Sequence, residues 1–186
     1  MQIEVAKKRF TVDEYYRMAD AGILTAEDRV ELIDGEIIEK SPVGSRHVGC
    51  VIRANQVLTT AFTGKALLSV QSPLRLSNYT EPEPDLAVLK PHPDYYSTKK
   101  PSSEDAFLVI EVADTTLRYD RNVKLPRYAA AGVPEVWIEN LEDDLLLVYR
   151  DPAGNSYTAS LTLGRGDPVS LAAFPDIVFK VDNFLG

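Results

Sequence analysis

The sequence predicts an α/β fold: a mixed β-sheet flanked by helices, with an additional C-terminal β-hairpin. Three observations predict it. Helical and strand-like stretches follow one another in the order α-ββ-α-β-β-β-α-β-ββ. The stretch Phe107–Val112 is apolar at both alternating sets of positions, as a strand covered on two faces must be. The chain has 186 residues, 45% of them hydrophobic, enough to bury a core without a metal or disulfide staple. One domain spanning residues 1–186 is expected.

The elements follow in order. Thr11-Val12-Asp13-Glu14 has the form of a capping box and opens a helix that runs to Ala21, with Gly22 suited to its end. Val30–Ile33 and Glu36–Glu39 flank Asp34-Gly35, a strong hairpin signal. After the break at Ser41-Pro42-Val43-Gly44, the apolar positions Val48, Val51, Ile52, Leu58 and Phe62 keep helical spacing from Ser45 to a stop at Gly64. Ala66–Leu76 reads as a strand. Glu81-Pro82-Glu83-Pro84 is a stiff, extended lead into the strand Asp85–Leu89. A polar loop, Lys90–Asp105, connects it to the central strand. A helix is predicted within Asp120–Ala131, then the strand Val136–Ile138, then a hairpin from Leu145–Tyr149 and Tyr157–Leu163.

Composition excludes several function classes. No uncharged run is long enough for a membrane span. The N-terminal MQIEVAKKRF lacks the layout of a secretory leader, and the single cysteine, Cys50, cannot form an internal bridge. These features point to the cytoplasm. There are 28 acidic residues against 20 basic ones, a net charge of −8. That argues against a protein that coats nucleic acid, but not against an enzyme that cuts it, because clustered carboxylates can hold a cation that reverses the local field. No GxGxxG-helix unit, Walker loop, GxSxG elbow, HExxH or CxxC occurs.

The residues that carry chemistry are few. Glu111 lies in the doubly apolar strand, where an ionised carboxylate costs several kcal/mol unless paired, protonated or metal-bound. The plain alternative is a strand end where Glu111 reaches solvent or an arginine. Asp85 begins the preceding strand. Antiparallel neighbours would bring Asp85 and Glu111 together, and two such oxygen ligands with a nearby carbonyl, such as that of Val112, suit Mg²⁺ or Mn²⁺. Lys124 shares a helical face with Asp120 and Tyr128 and can reach the acid pair if the helix packs back on the sheet. Pro126 leaves the aim of Lys124 open. Glu31 alternates with Val30 and Leu32, and solvent exposure is its expected state. His47, in the first turn of the second helix, is a weaker candidate, with a structural role expected. Cys50 falls on the apolar side of the same helix and is expected in the core.

Taken together, VELIDGEIIEKSP, His47, EPEPDLAVL, FLVIEVADTT and YDRNVKLPRYAAAGVPEVWIE resemble the Uma-two family of the restriction-endonuclease-like PD-(D/E)XK superfamily. The resemblance covers about Phe10 to Asn140. It implies a restriction-endonuclease-like fold, a homodimer and a metal-dependent endonuclease. In that family Pro84-Asp85 is the "PD" element, Glu111 the acid of the second motif and Glu31 the acid of the first. Superfamily members usually carry a lysine two residues after the second acid. Here that position is Ala113, and Lys124 matches the family's relocated lysine.

The resulting expectation is a Mg²⁺- or Mn²⁺-dependent phosphodiesterase acting on DNA, with Asp85 and Glu111 as metal ligands, Lys124 and Glu31 in catalysis, and no membrane association. Arg118, Arg121, Lys124 and Arg127 are expected to meet phosphates. Two other readings stay open: a catalytically silent interaction module that keeps the nuclease fold, and a metal-free carboxylate-pair hydrolase.

Overall fold

A computed structural model describes residues 6–25 and 27–186. The first five residues of the stretch read for a leader lie outside the described residues. Helix α1 (Val12–Asp20) carries the predicted capping box: the Glu14 N–H donates to Thr11 Oγ1 at 3.2 Å, and Glu14 Oε2 accepts the Thr11 N–H at 2.8 Å. Strands β1 (Val30–Ile33) and β2 (Glu36–Glu39) form the expected hairpin. Both turn residues have positive φ, 52° at Asp34 and 79° at Gly35, as a tight hairpin turn demands. A Cβ on Gly35 would also meet Arg9 Cβ at 2.7 Å, so glycine is required there twice over. Helix α2 spans Ser45–Ala61.

The main sheet has six strands in chain order: β3 (Leu67–Val70), β4 (Leu86–Leu89), β5 (Ala106–Ala113), β6 (Glu135–Asn140), β7 (Leu145–Ala153) and β8 (Ser156–Leu163). Every neighbouring pair is antiparallel except β5–β6. A parallel pair needs a crossover, here supplied by α3 (Leu117–Tyr119), a π-helical turn (Asp120–Lys124) and α4 (Leu125–Ala130). The predicted C-terminal hairpin forms as β7–β8 and extends the sheet. A further short pair, β9 (Pro168–Val169) with β10 (Phe179–Lys180), follows it.

Each face of the sheet is covered. On one side Cys50, Val51, Ala54 and Leu58 of α2, with Phe179, Phe184 and Leu185 from the C-terminal segment, pack on Leu108, Ile110, Val112 and Trp137. On the other, Tyr128 of α4 and Val133 pack on Val109, Ala113, Val136 and Ile138. Burying each such Leu, Ile or Phe contributes about 1.5–3 kcal/mol. The strand expected over Ala66–Leu76 is shorter than read: Gln71 turns at φ 44° and Pro73 has no N–H to give a ladder. The last helix starts three residues earlier than expected, at Leu117, and its middle is the π-turn. No helix among the described residues is long and apolar enough to cross a membrane.

Candidate active site

The Leu86↔Ile110 pairing puts Asp85 and Glu111 one step further along, side by side at one end of β4 and β5. Asp85 Oδ2 accepts the Val112 N–H at 2.8 Å and lies 3.1 Å from His47 Nε2. With a carboxylate as acceptor, Nε2 is the protonated ring nitrogen, and His47 Nδ1 is left buried with no partner among the described residues. His47 therefore reaches from α2 to hold Asp85. Gln71 Nε2 approaches the other oxygen at 3.4 Å.

Glu111 does not reach solvent or an arginine. It is 3% exposed, and its two oxygens are gripped from the crossover. Lys124 Nζ sits 3.2 Å from each, and the Tyr128 hydroxyl donates to Oε1 at 2.6 Å. The predicted shared face of Asp120, Lys124 and Tyr128 does point to the acids. Pro126 disturbs the turn that precedes it. It cannot donate to the Asn122 carbonyl, and the chain answers with a π-turn in which the Leu125 N–H reaches Asp120 O. The Arg127 side chain donates to the Val123 carbonyl at 2.8 Å and to that of Asn122 at 3.5 Å.

Glu31 corrects the exposure read from strand alternation: it is 2% exposed. The hairpin face that would meet water is roofed by the crossover and by the Glu81–Pro84 lead. Glu31 Oε2 accepts the Glu83 N–H at 3.1 Å and lies 3.3 Å from Lys124 Nζ, while Oε1 accepts the Tyr119 hydroxyl at 3.2 Å. Cys50 is buried in the core, as expected.

Glu31, His47, Asp85, Glu111 and Lys124 thus line one cleft of ≈ 870 Å³. Asp120, 4% exposed and bonded by the Thr116 hydroxyl at 2.6 Å, lines it too, as do Tyr119, Arg29 and Arg118. Sequence reasoning missed Tyr119, Arg29 and a role for Asp120. The helical spacing of Asp120 and Lys124 was the available signal. Of the basic residues expected to meet phosphate, Arg118 and Lys124 line the cleft and Arg121 does not. Arg127 is taken up by Asp34, at 2.6 and 3.0 Å.

The electrostatics follow from burial and charge count. Burial pushes the Glu111 carboxyl up to about 8; Lys124 and the Tyr128 hydroxyl oppose that rise, and Asp120 and Asp85 add to it. Burial likewise raises Asp120, against the pull of Lys124 and Thr116. Asp85 stays below its ordinary value, because the His47 and Val112 hydrogen bonds and Lys124 outweigh its burial. Burial alone would lower Lys124, but Glu111, Glu31, Asp120 and Asp85 raise it. One ammonium is shared among four acids. It remains charged, and the negative charge it cannot balance is relieved by a raised pKa at Glu111 and Asp120.

Paired hard oxygen donors with surplus negative charge suit a divalent cation of the magnesium type. Such an ion takes only one or two carboxylates and keeps water and substrate phosphate as its other ligands. Among the described residues no three His, Cys, Asp or Glu side chains converge as a ready-made ligand cage. The two-carboxylate arrangement fits the ion without one.

Comparison with known proteins bears on family and fold. The model of the Uma2 family, described as "Putative restriction endonuclease", matches residues 12–182. A crystal structure of "a putative nuclease belonging to DUF820" from Anabaena variabilis ATCC 29413 superposes with a TM-score of 0.71 at 14% identity, covering 95% of this chain and 97% of that one. That likeness is one of fold. No curated protein matches the chain.

Proposed function

The chain belongs to the Uma2 family, and from that membership we propose that it is a divalent-metal-dependent endonuclease hydrolysing phosphodiester bonds in DNA. The observation that carries the reading is the grip of Lys124 on Glu111, at 3.2 Å, beside Asp85 in one cleft. That junction joins two candidate metal ligands to one candidate catalytic cation.

Asp85 and Glu111 would hold Mg²⁺ or Mn²⁺. When bound, the ion supplies a Lewis acid that lowers the pKa of its water and offsets charge on the phosphate. His47 and the Val112 N–H fix the Asp85 carboxylate in one orientation. Lys124 offers N–H donors to the attacking water and to the charge that develops on the phosphorane. Glu31, tied to the Glu83 N–H and the Tyr119 hydroxyl, holds Lys124 from its other side. Arg29 and Arg118 are exposed, line the cleft and have no carboxylate within ion-pair distance among the described residues. They are the groups left to meet neighbouring phosphates. Lys40, by contrast, is held by Glu83 at 2.9 Å. The proposal includes the homodimer that the family resemblance implies, which light scattering would test.

The test is cleavage of supercoiled plasmid and of single-stranded DNA with Mg²⁺ or Mn²⁺, against EDTA, with Asp85→Ala in parallel. Metal-dependent nicking that is lost in Asp85→Ala is the expected result. A second reading, a silent module that keeps the fold, draws on the protein donors already bonded to Glu111 and Asp85. Calorimetric titration with Mn²⁺ separates the two: no binding that depends on Asp85 and Glu111 would sink the enzyme reading.

A further inference from the structure

Arg127 touches no part of the cleft floor, yet it joins the two elements that hold Lys124 in place. Its Nη1 serves the Asn122 and Val123 carbonyls of the π-turn, one of which Pro126 cannot serve. Its Nε and Nη2 both donate to Asp34 Oδ2. Asp34 is itself fixed, with its N–H on Thr80 Oγ1 at 3.1 Å. It sits in the β1–β2 turn, three residues beyond Glu31, and Arg127 sits three beyond Lys124. The hairpin and the crossover are therefore riveted twice: inside the cleft by Lys124 and Glu31 at 3.3 Å, and outside it by Arg127 and Asp34 at 2.6 Å.

We propose that the Arg127–Asp34 pair is a strap that sets the register of the π-turn and so the aim of Lys124, which makes Arg127 a positioning residue rather than a contact to substrate. A π-turn holds one residue more than an α-turn. Reverting it would rotate the residues before it by about 100° relative to those after it. Lys124 closes that turn and Tyr128 follows one α-turn later, so the extra residue sets how these two, which bond Glu111, face the cleft relative to Tyr119 and Asp120 before the turn. A planar guanidinium spreads its donors over two edges and so spans the Asp34 carboxylate and the Asn122 and Val123 carbonyls, whereas an ammonium offers its donors from a single point.

The importance of Lys124 to turnover rests on the nuclease reading, but its placement does not, and the experiment separates the two. Arg127→Lys and Asp34→Asn are compared with wild type in cleavage kinetics and in the ¹⁵N–¹H NMR signal of the Lys124 ammonium, assigned by its loss in Lys124→Met. Asp34→Asn is a near-isosteric change in a half-buried turn and keeps the fold testable if Arg127→Lys does not fold. In either variant kcat should fall about 10- to 100-fold with KM little changed, as expected when a catalytic group is misplaced. The Lys124 signal should shift or broaden, and the double variant should be no worse than the poorer single one. An unchanged ammonium signal in a folded variant would overturn the strap, whatever happens to kcat. A rise in KM alone would do the same, marking Arg127 as a substrate contact. If wild type cuts no DNA, the nuclease reading fails while the ammonium signal still decides the strap.

Discussion

The Tyr128 hydroxyl donates to Glu111 at 2.6 Å from a side chain that is itself wholly buried, one helical turn beyond the lysine that holds the same carboxylate. Tyr128 is both core and site: its ring packs on Ala113 and Ile138 while its oxygen bonds the acid. Tyr128→Phe keeps the ring and removes the donor from a fully buried acceptor. Stability to urea should fall by about 1–3 kcal/mol, and the cleavage rate should fall with it.

Stability of the metal-free protein should depend on pH in an unusual sense. Glu111 rises from 4.5 to about 8 on folding, so the native state keeps a proton that the unfolded chain releases. Below 4.5 both states hold it and nothing is lost. Between 4.5 and about 8 stability should fall as pH rises, and above that the penalty is constant. Urea midpoints in EDTA across this range should decline, Glu111→Gln should flatten the slope, and Mn²⁺ should restore most stability at the alkaline end.

Glu139, on the neighbouring strand and near enough to Asp85 for that charge to raise its pKa further, tests the same principle. It is 0% exposed, both its oxygens lack partners among the described residues, and burial raises its pKa well above the ordinary value. Glu139→Leu should stabilise the protein by about 1–3 kcal/mol at pH 8, with a smaller gain at pH 4, where the carboxyl is protonated in both states. A loss of stability at pH 8 would mean that the carboxylate has a partner such as a buried water.

Arg29 and Arg118 flank an acidic floor, and DNA binding should show it in its salt dependence. Each Arg→Gln change should weaken binding of a short oligonucleotide and reduce the slope of log K against log[KCl] by about 1. The readout is fluorescence anisotropy without cleavage. Changing Arg127 to Gln should leave that slope unaltered, because its guanidinium already faces Asp34.

Much of this was legible in the chain. Asp34-Gly35 announced the hairpin because the turn needs two positive φ values, and few residue pairs supply them. The doubly apolar Phe107–Val112 announced a central strand and made Glu111 conspicuous. The loop between Asp85–Leu89 and that strand made antiparallel neighbours, and hence the acid pair, a natural inference. The rest depended on contacts distant in sequence. Glu31 alternates like an exposed residue, and only the crossover and the Glu81–Pro84 lead cover it. Pro126 signalled a disturbance but not a π-turn, whose register is held by Arg127 and Asp34, 93 residues apart. The isolation of Glu139 follows from packing that no local pattern encodes.

Ala113 lies two residues beyond Glu111 on the same strand face, the position where the sequence resemblance leads one to look for a lysine. It is wholly buried in the same apolar cluster as Tyr128, and Lys124 reaches Glu111 from the crossover instead. The candidate metal ligands are thereby fastened to a rigid sheet, and the candidate catalytic cation to a helical segment with its own fastening. On the proposed reading, crossover substitutions that leave the Lys124 and Tyr128 bonds to Glu111 in place would change turnover more than ion affinity. If the proposed activity holds, a lineage built on this plan could exchange cutting for binding without rebuilding its sheet.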